Sequence, residues 1–97
     1  MTKYILSKEE TPYVIFFYES GSSTNINVLQ VLESLEKVYE KRINFYTVDI
    51  NTRPTIVDFF GVTFAPTFIF MKDNKEINRI IGDIDKSKFV KLLNLML

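Results

Sequence analysis

The run Tyr13-Val14-Ile15-Phe16-Phe17-Tyr18 has no polar interruption. Six consecutive aromatic and β-branched residues suit a central strand covered on both faces rather than one with a wet side. Such a strand needs helices packed above and below it, which points to an α/β architecture. The next segment agrees. Gly21-Ser22-Ser23-Thr24-Asn25 is a polar turn, and from Thr24 to about Lys41 the apolar residues Val28, Leu29, Leu32, Leu35, Val38 and Tyr39 recur at spacings of three and four. Glu33, Glu36, Lys37, Glu40 and Lys41 occupy the other side, so the pattern predicts an amphipathic helix laid on the sheet. Ser23, Thr24 or Asn25 can cap it, because each has a short side-chain oxygen for the first free backbone N–H groups.

Ile43 to Ile50 reads as a second strand, parallel to the first if the helix is a crossover, since such units are right-handed in nearly all cases. Asn51-Thr52-Arg53-Pro54 breaks the chain and sets Pro54 in the first turn of a short helix, Thr55 to Phe60, that Gly61 ends. Thr67 to Met71 is a third strand. The turn Lys72-Asp73-Asn74-Lys75 then leads into Glu76-Ile77-Asn78-Arg79-Ile80-Ile81, whose alternation predicts a partly exposed antiparallel partner. After Gly82, Asp85 caps a last helix with Phe89, Val90, Leu92, Leu93, Met96 and Leu97 inward and Lys86, Lys88 and Lys91 outward. At the start, Lys3 to Leu6 is a short edge strand, and Ser7 to Pro12 is a polar connector too short for a stable helix.

Composition narrows the chemistry. A chain of 97 residues, 46% of them hydrophobic, with nine Phe and five Tyr, supports one domain over 1–97 with one real core. Zero Cys and zero His remove thiolate nucleophiles, disulfides, imidazole acid/base catalysis and the usual ligands of zinc, copper and haem. No metal or other cofactor is therefore expected. Twelve acidic residues balance twelve basic ones without long blocks of either sign, so neither a nucleic-acid footprint nor a membrane-surface helix is present. Lys8, Glu9 and Glu10 interrupt any signal-like apolar run, and no window approaches the ~20 apolar residues of a membrane span. The expected location is the cytoplasm.

Four local sequences, in this order, resemble the thioredoxin family, and the resemblance covers nearly the whole chain. Thr11-Pro12-Tyr13-Val14-Ile15-Phe16-Phe17-Tyr18 is similar to the family's lysine-proline start and buried strand. Val48-Asp49-Ile50-Asn51 with Pro54 resembles its aspartate-containing strand end and following short helix. Phe60-Gly61-Val62-Thr63-Phe64-Ala65-Pro66-Thr67-Phe68 matches its proline-threonine signature, the most specific of the four, and Ile80-Ile81-Gly82 matches its valine-glycine. The resemblance implies a thioredoxin-like fold: a mixed central sheet flanked by helices, built as a short N-terminal strand, βαβ, a short helix, a β-hairpin and a C-terminal helix. It also implies a cis bond at Ala65-Pro66 facing the start of the long helix.

The same register places the family's Cys-Gly-Pro-Cys on Ser22-Ser23-Thr24-Asn25, so both redox positions, Ser22 and Asn25, lack sulfur. A serine hydroxyl cannot substitute, because it stays protonated without a base and forms no stable link to sulfur. By the same resemblance the family's buried aspartate falls on Phe16 and its partnering lysine on Thr47. The tryptophans flanking the redox pair fall on Tyr18 and Gly21, and the helix-kinking proline on Gln30. Loss of the whole set describes a chain that left redox work, and disulfide oxidoreductase activity is not expected. Ser22, Ser23 and Thr24 can be read as an anion site at a helix start or as a hydroxyl-rich cap, and the cap is the favoured reading. Asp49 and Asp58 cap or solvate element ends rather than forming a catalytic pair. Phe60 is expected in the core and Phe64 exposed beside the groove, as a partner anchor.

Two functions follow as expectations. One is a non-catalytic module whose groove, Gly21, Ser22, Ser23, Ile50, Phe64, Ala65, Pro66 and Gly82, captures a protein or extended peptide segment. In this family the residue before the cis proline pairs main chain to main chain with the substrate, an interaction that needs no sulfur. The alternative is a redox role through a partner's thiols, or a structural subunit of a complex.

Overall fold

A computed structural model describes residues 10–21 and 26–97. The short edge strand at Lys3–Leu6, the first half of the Ser7–Pro12 connector and the cap at Ser23, Thr24 or Asn25 lie outside the described residues. Within them the order is β1 (Tyr13–Tyr18), α1 (Ile26–Val38), β2 (Asn44–Asp49), α2 (Pro54–Phe60), β3 (Thr67–Lys72), β4 (Lys75–Ile81) and α3 (Lys86–Leu95). The strands form one mixed sheet in the order β2-β1-β3-β4. β1 and β2 are parallel, as a crossover through α1 requires. β3 runs antiparallel to both β1 and β4.

The six-residue apolar run sits second in the sheet, and five of its six residues are buried. Alternation sends Val14 and Phe16 to one face, where α1 and α3 cover them with Val28, Leu32, Leu35, Phe89, Leu92 and Leu93. Tyr13, Ile15 and Phe17 go to the other, where α2 contributes Ile56 and the strands add Val48, Ile69 and Met71. The hairpin between β3 and β4 turns through Asp73 and Asn74, both at positive φ (53° and 61°). That is the type I′ geometry matching the twist of paired strands, which Asp and Asn tolerate better than other non-glycine residues. Asp85 caps α3, its Oδ1 accepting the Lys88 backbone N–H at 3.3 Å.

Several boundaries and facings differ from the sequence expectation. α1 ends at Val38 rather than near Lys41, and a turn follows in which Arg42 and Ile43 both donate backbone N–H groups to the Tyr39 carbonyl. Leu29 and Val38, expected in the buried stripe, are exposed. At about 100° per residue the buried set Val28, Leu32, Leu35 and Tyr39 spans a narrow arc, and Leu29 and Val38 lie on either side of it. Leu97 is likewise exposed while Met96 is buried. Phe60 is half-buried rather than core, its ring meeting Phe17 edge-on at 5.8 Å.

Candidate functional site

Register alone gathers most of the groove residues at one end of the sheet. Tyr18 pairs with Asp49, Phe17 with Thr67, and Thr67 with Ile81. The ends of β1, β2 and β4 therefore meet the start of β3. The loop 61–66 enters this edge from α2. Gly61 ends that helix in the left-handed region at φ 62°, where a residue without Cβ is unstrained.

Two hydrogen bonds pin the loop. Thr67 is buried, and its hydroxyl donates to the Phe64 carbonyl at 2.6 Å. The Gly82 backbone N–H donates to the Pro66 carbonyl at 2.9 Å, fastening the end of β4 to the start of β3. The Ala65–Pro66 peptide bond is cis. Between these anchors Phe64 projects with 58% of its surface exposed, and Ile81 beside Gly82 is 60% exposed. Phe64 and Ile81 are thus two large apolar side chains left in water at this end of the sheet.

The other half of the edge is polar. Asp49 Oδ1 accepts the backbone N–H of Asn51 at 3.0 Å and of Ser20 at 3.4 Å. The Asn51 N–H, the Ser20 hydroxyl, the Ser20 N–H and the nearby Arg53 charge hold this carboxyl below the ordinary carboxylate range, against a smaller opposing effect of burial. Asn51 in turn donates its amide to the Ser20 carbonyl at 3.4 Å. Asp49 thus holds Ser20, just after β1, against Asn51 in the β2–α2 loop. Ile50, whose N–H donates to the Tyr18 carbonyl at 2.9 Å, sits half-buried beside them. Ser22, Ser23 and Asn25 lie outside the described residues.

A further residue escaped the sequence reading. Arg79 on β4 forks onto both Glu76 carboxylate oxygens at 2.8 Å and donates to the Phe60 carbonyl at 2.6 Å. The Glu76 contact raises its already high pKa. Arg79 braces the end of α2, and so the loop carrying Phe64, against the edge strand. Its signal in sequence was only an acid three residues before an arginine, which any exposed strand can carry.

Beneath the site the core is aromatic. Phe16 stacks on Phe68 with centroids 4.8 Å apart and planes 7° from parallel, and Tyr18 lies 5.8 Å from it. Thr67 is the one buried polar residue among those described, and no described buried side-chain nitrogen or oxygen lacks a partner. Among the described residues no three acidic, Cys or His side chains converge as a metal site. None of the described helices is long and apolar enough to cross a membrane.

A family model described as Thioredoxin matches residues 3–95. The chain belongs to the thioredoxin family. It is 38% identical over 64 residues to a thioredoxin of Chlamydia caviae, a match spanning 66% of this chain and 62% of that protein. It is 30% identical over 76 residues to thioredoxin-like protein CXXS1 of Oryza sativa subsp. japonica, spanning 78% of this chain and 56% of that one. The chain thus spans less than two thirds of the length of these two relatives. The X-ray structure of Fasciola hepatica thioredoxin superposes with a TM-score of 0.81 at 25% identity, over 92% of this chain and 84% of that one. Within this family the present chain has no cysteine at any position.

Proposed function

We propose that this thioredoxin-family protein is a non-catalytic binding module that captures an extended segment of a protein partner at the sheet end bordered by Gly21, Ile50, Phe64, Ala65, Pro66 and Gly82. The observation that carries the reading is the exposure of Phe64 on a loop that is itself hydrogen-bonded in place. A mobile loop would lose entropy on binding, whereas a pre-set one exposing an aromatic side chain offers contact area at little cost. Main-chain pairing beside the proline would supply the remaining affinity, and it needs backbone groups alone. Without a thiol in the chain, such a complex forms and dissociates without exchange chemistry.

The test is capture from a reduced lysate by the native protein and by Phe64→Asp, with bound proteins identified by mass spectrometry and folding checked by circular dichroism. A reproducible partner held by the native form and lost from the folded variant is the expected outcome. Equal capture by both would move binding to another face and end this reading.

A further inference from the structure

β4 stands at the outer end of the strand order, and its register fixes which backbone groups it turns to the open edge. In antiparallel pairing, alternate residues aim their N–H and C=O at the neighbouring strand, and the residues between aim theirs away. The Gly82 N–H donates to the Pro66 carbonyl at 2.9 Å. Gly82, Ile80 and Asn78 are therefore the inward set, against Pro66, Phe68 and Phe70, and Arg79 and Ile81 turn their backbone groups outward. The two are not equally available. The Arg79 N–H is taken by Asn78 Oδ1 at 2.8 Å. Next to Asn78 the register shifts between Phe70 and Met71, which leaves Ile77 as an extra residue on β4. Such a bulge bends an edge away from further pairing. Beyond it, the Arg79 carbonyl and both backbone groups of Ile81 have no partner among the described residues, and the Ile81 side chain beside them is 60% exposed.

We infer that this open stretch of edge takes a short extended segment of a protein partner as an added strand, running parallel to β4 and setting an apolar residue beside Ile81. The inference rests on the reading that this end of the sheet captures an extended segment, and it adds where the main chain pairs and in which direction. In a parallel pair, a partner residue opposite Ile80 donates its N–H to the Arg79 carbonyl and accepts the Ile81 N–H. The residue two further on donates to the Ile81 carbonyl. The residue between them lies opposite Ile81 and on the same face, where its side chain covers the exposed one. An antiparallel segment reaching Arg79 would set a carbonyl against an N–H that Asn78 already holds, and that carbonyl would go unpaired. A second copy pairing β4 to β4 about a two-fold axis across the strands runs antiparallel and meets this obstacle in both chains.

The experiment pans a displayed library of random octapeptides over the purified protein. An enriched peptide, resynthesised, is titrated against the nitrogen-15-labelled native protein, Phe64→Ser and Ile81→Pro. Proline is tolerated in an edge strand where the missing N–H faces outward, so Ile81→Pro removes an outward donor and no bond of the sheet. Binding should slow exchange of the Ile81 amide, and peptide-to-β4 proton contacts should advance along both chains in the same direction. Ile81→Pro should weaken binding by about three- to ten-fold, the scale of one backbone hydrogen bond. Enriched sequences should lack proline at the two donating positions and share an aliphatic or aromatic residue between them. If circular dichroism shows Ile81→Pro unfolded, Ile81 amide exchange in the native protein decides the matter by itself.

The edge and the Phe64 groove fail differently. If binding is lost in Phe64→Ser while Ile81→Pro binds like the native protein and Ile81 exchange does not change, the groove stands and the edge assignment is overturned. If Ile81→Pro loses the peptide and Phe64→Ser keeps it, the edge stands and Phe64 is no anchor. Enrichment no greater than on bare support would overturn both. Antiparallel contacts, or a native dimer in sedimentation that Ile81→Pro abolishes, would overturn the parallel peptide strand.

Discussion

Phe16 separates this chain's core from the one its family resemblance implies. The resemblance sets a buried aspartate at that position, a group that would have to be desolvated and supplied with partners. Here the site is filled by a ring with 1% of its surface exposed, stacked on Phe68. Phe16→Asp would remove that stacking and leave a carboxylate among Val14, Leu32, Phe68 and Phe89 with no donor to meet it. Loss of a buried Phe costs about 3–5 kcal/mol, and an unpaired buried charge adds to it. Urea denaturation of Phe16→Asp should show at least that loss at neutral pH, or no folded baseline. Phe16→Leu, which keeps the site apolar, should lose about 1–2 kcal/mol. A loss under about 1 kcal/mol in the aspartate variant would mean that the site hydrates or repacks freely. The residue types were readable in sequence; the stacking partner was not, because Phe68 lies on another strand, 52 positions (68 − 16) further along the chain, beyond the reach of any local pattern.

At the level of elements, strands and helices were legible where one periodicity held and poorly legible where it faded. β1, β3 and the Asp73-Asn74 hairpin follow from apolar runs and turn chemistry, and Gly61 and Asp85 mark helix ends by their own conformational and capping preferences. Facing at the flanks of α1 was misread because spacings of three and four admit a broader stripe than the sheet covers, which left Leu29 and Val38 in water. The groove's loop was legible as a motif, but its support was not. Arg79 reaches Phe60 across nineteen positions, and nothing local in the sequence encodes that reach. The brace yields a measurable expectation. Arg79→Ala should cost about 1–2 kcal/mol, the scale of a partly exposed charge-assisted pair plus a freed helix carbonyl. It should also raise amide exchange at the end of α2 and through 61–64. Arg79→Lys should recover little, since a lysine lacks the planar fork that meets Glu76 and Phe60 together. Unchanged exchange in the alanine variant would show that the loop holds itself through Thr67 alone.

For the whole molecule, the question is whether the fold was kept while its chemistry was removed. The sheet order, the two-faced core and the pinned proline loop form the scaffold, and Ser22 and Asn25 take, by resemblance, the positions of the redox pair. If that register is right, sulfur is the missing reagent and the scaffold need not change to accept it. Ser22→Cys with Asn25→Cys should then give a protein that forms an internal disulfide, and that reduces insulin with dithiothreitol faster than the native chain, whose rate should equal the reagent background. Ser22→Cys alone should form mixed disulfides without turnover, because no second thiol releases them. The paired variant should remain slow. Phe16 offers no carboxylate to take up a proton beneath the site, and a thiolate without proton handling turns over poorly even where it attacks well. A paired variant that stays fully reduced under mild oxidant would place the two side chains beyond disulfide reach, since bridged Cα atoms lie within about 7 Å. That result would break the register for Ser22 and Asn25 while leaving the fold, which rests on the other motifs, in place.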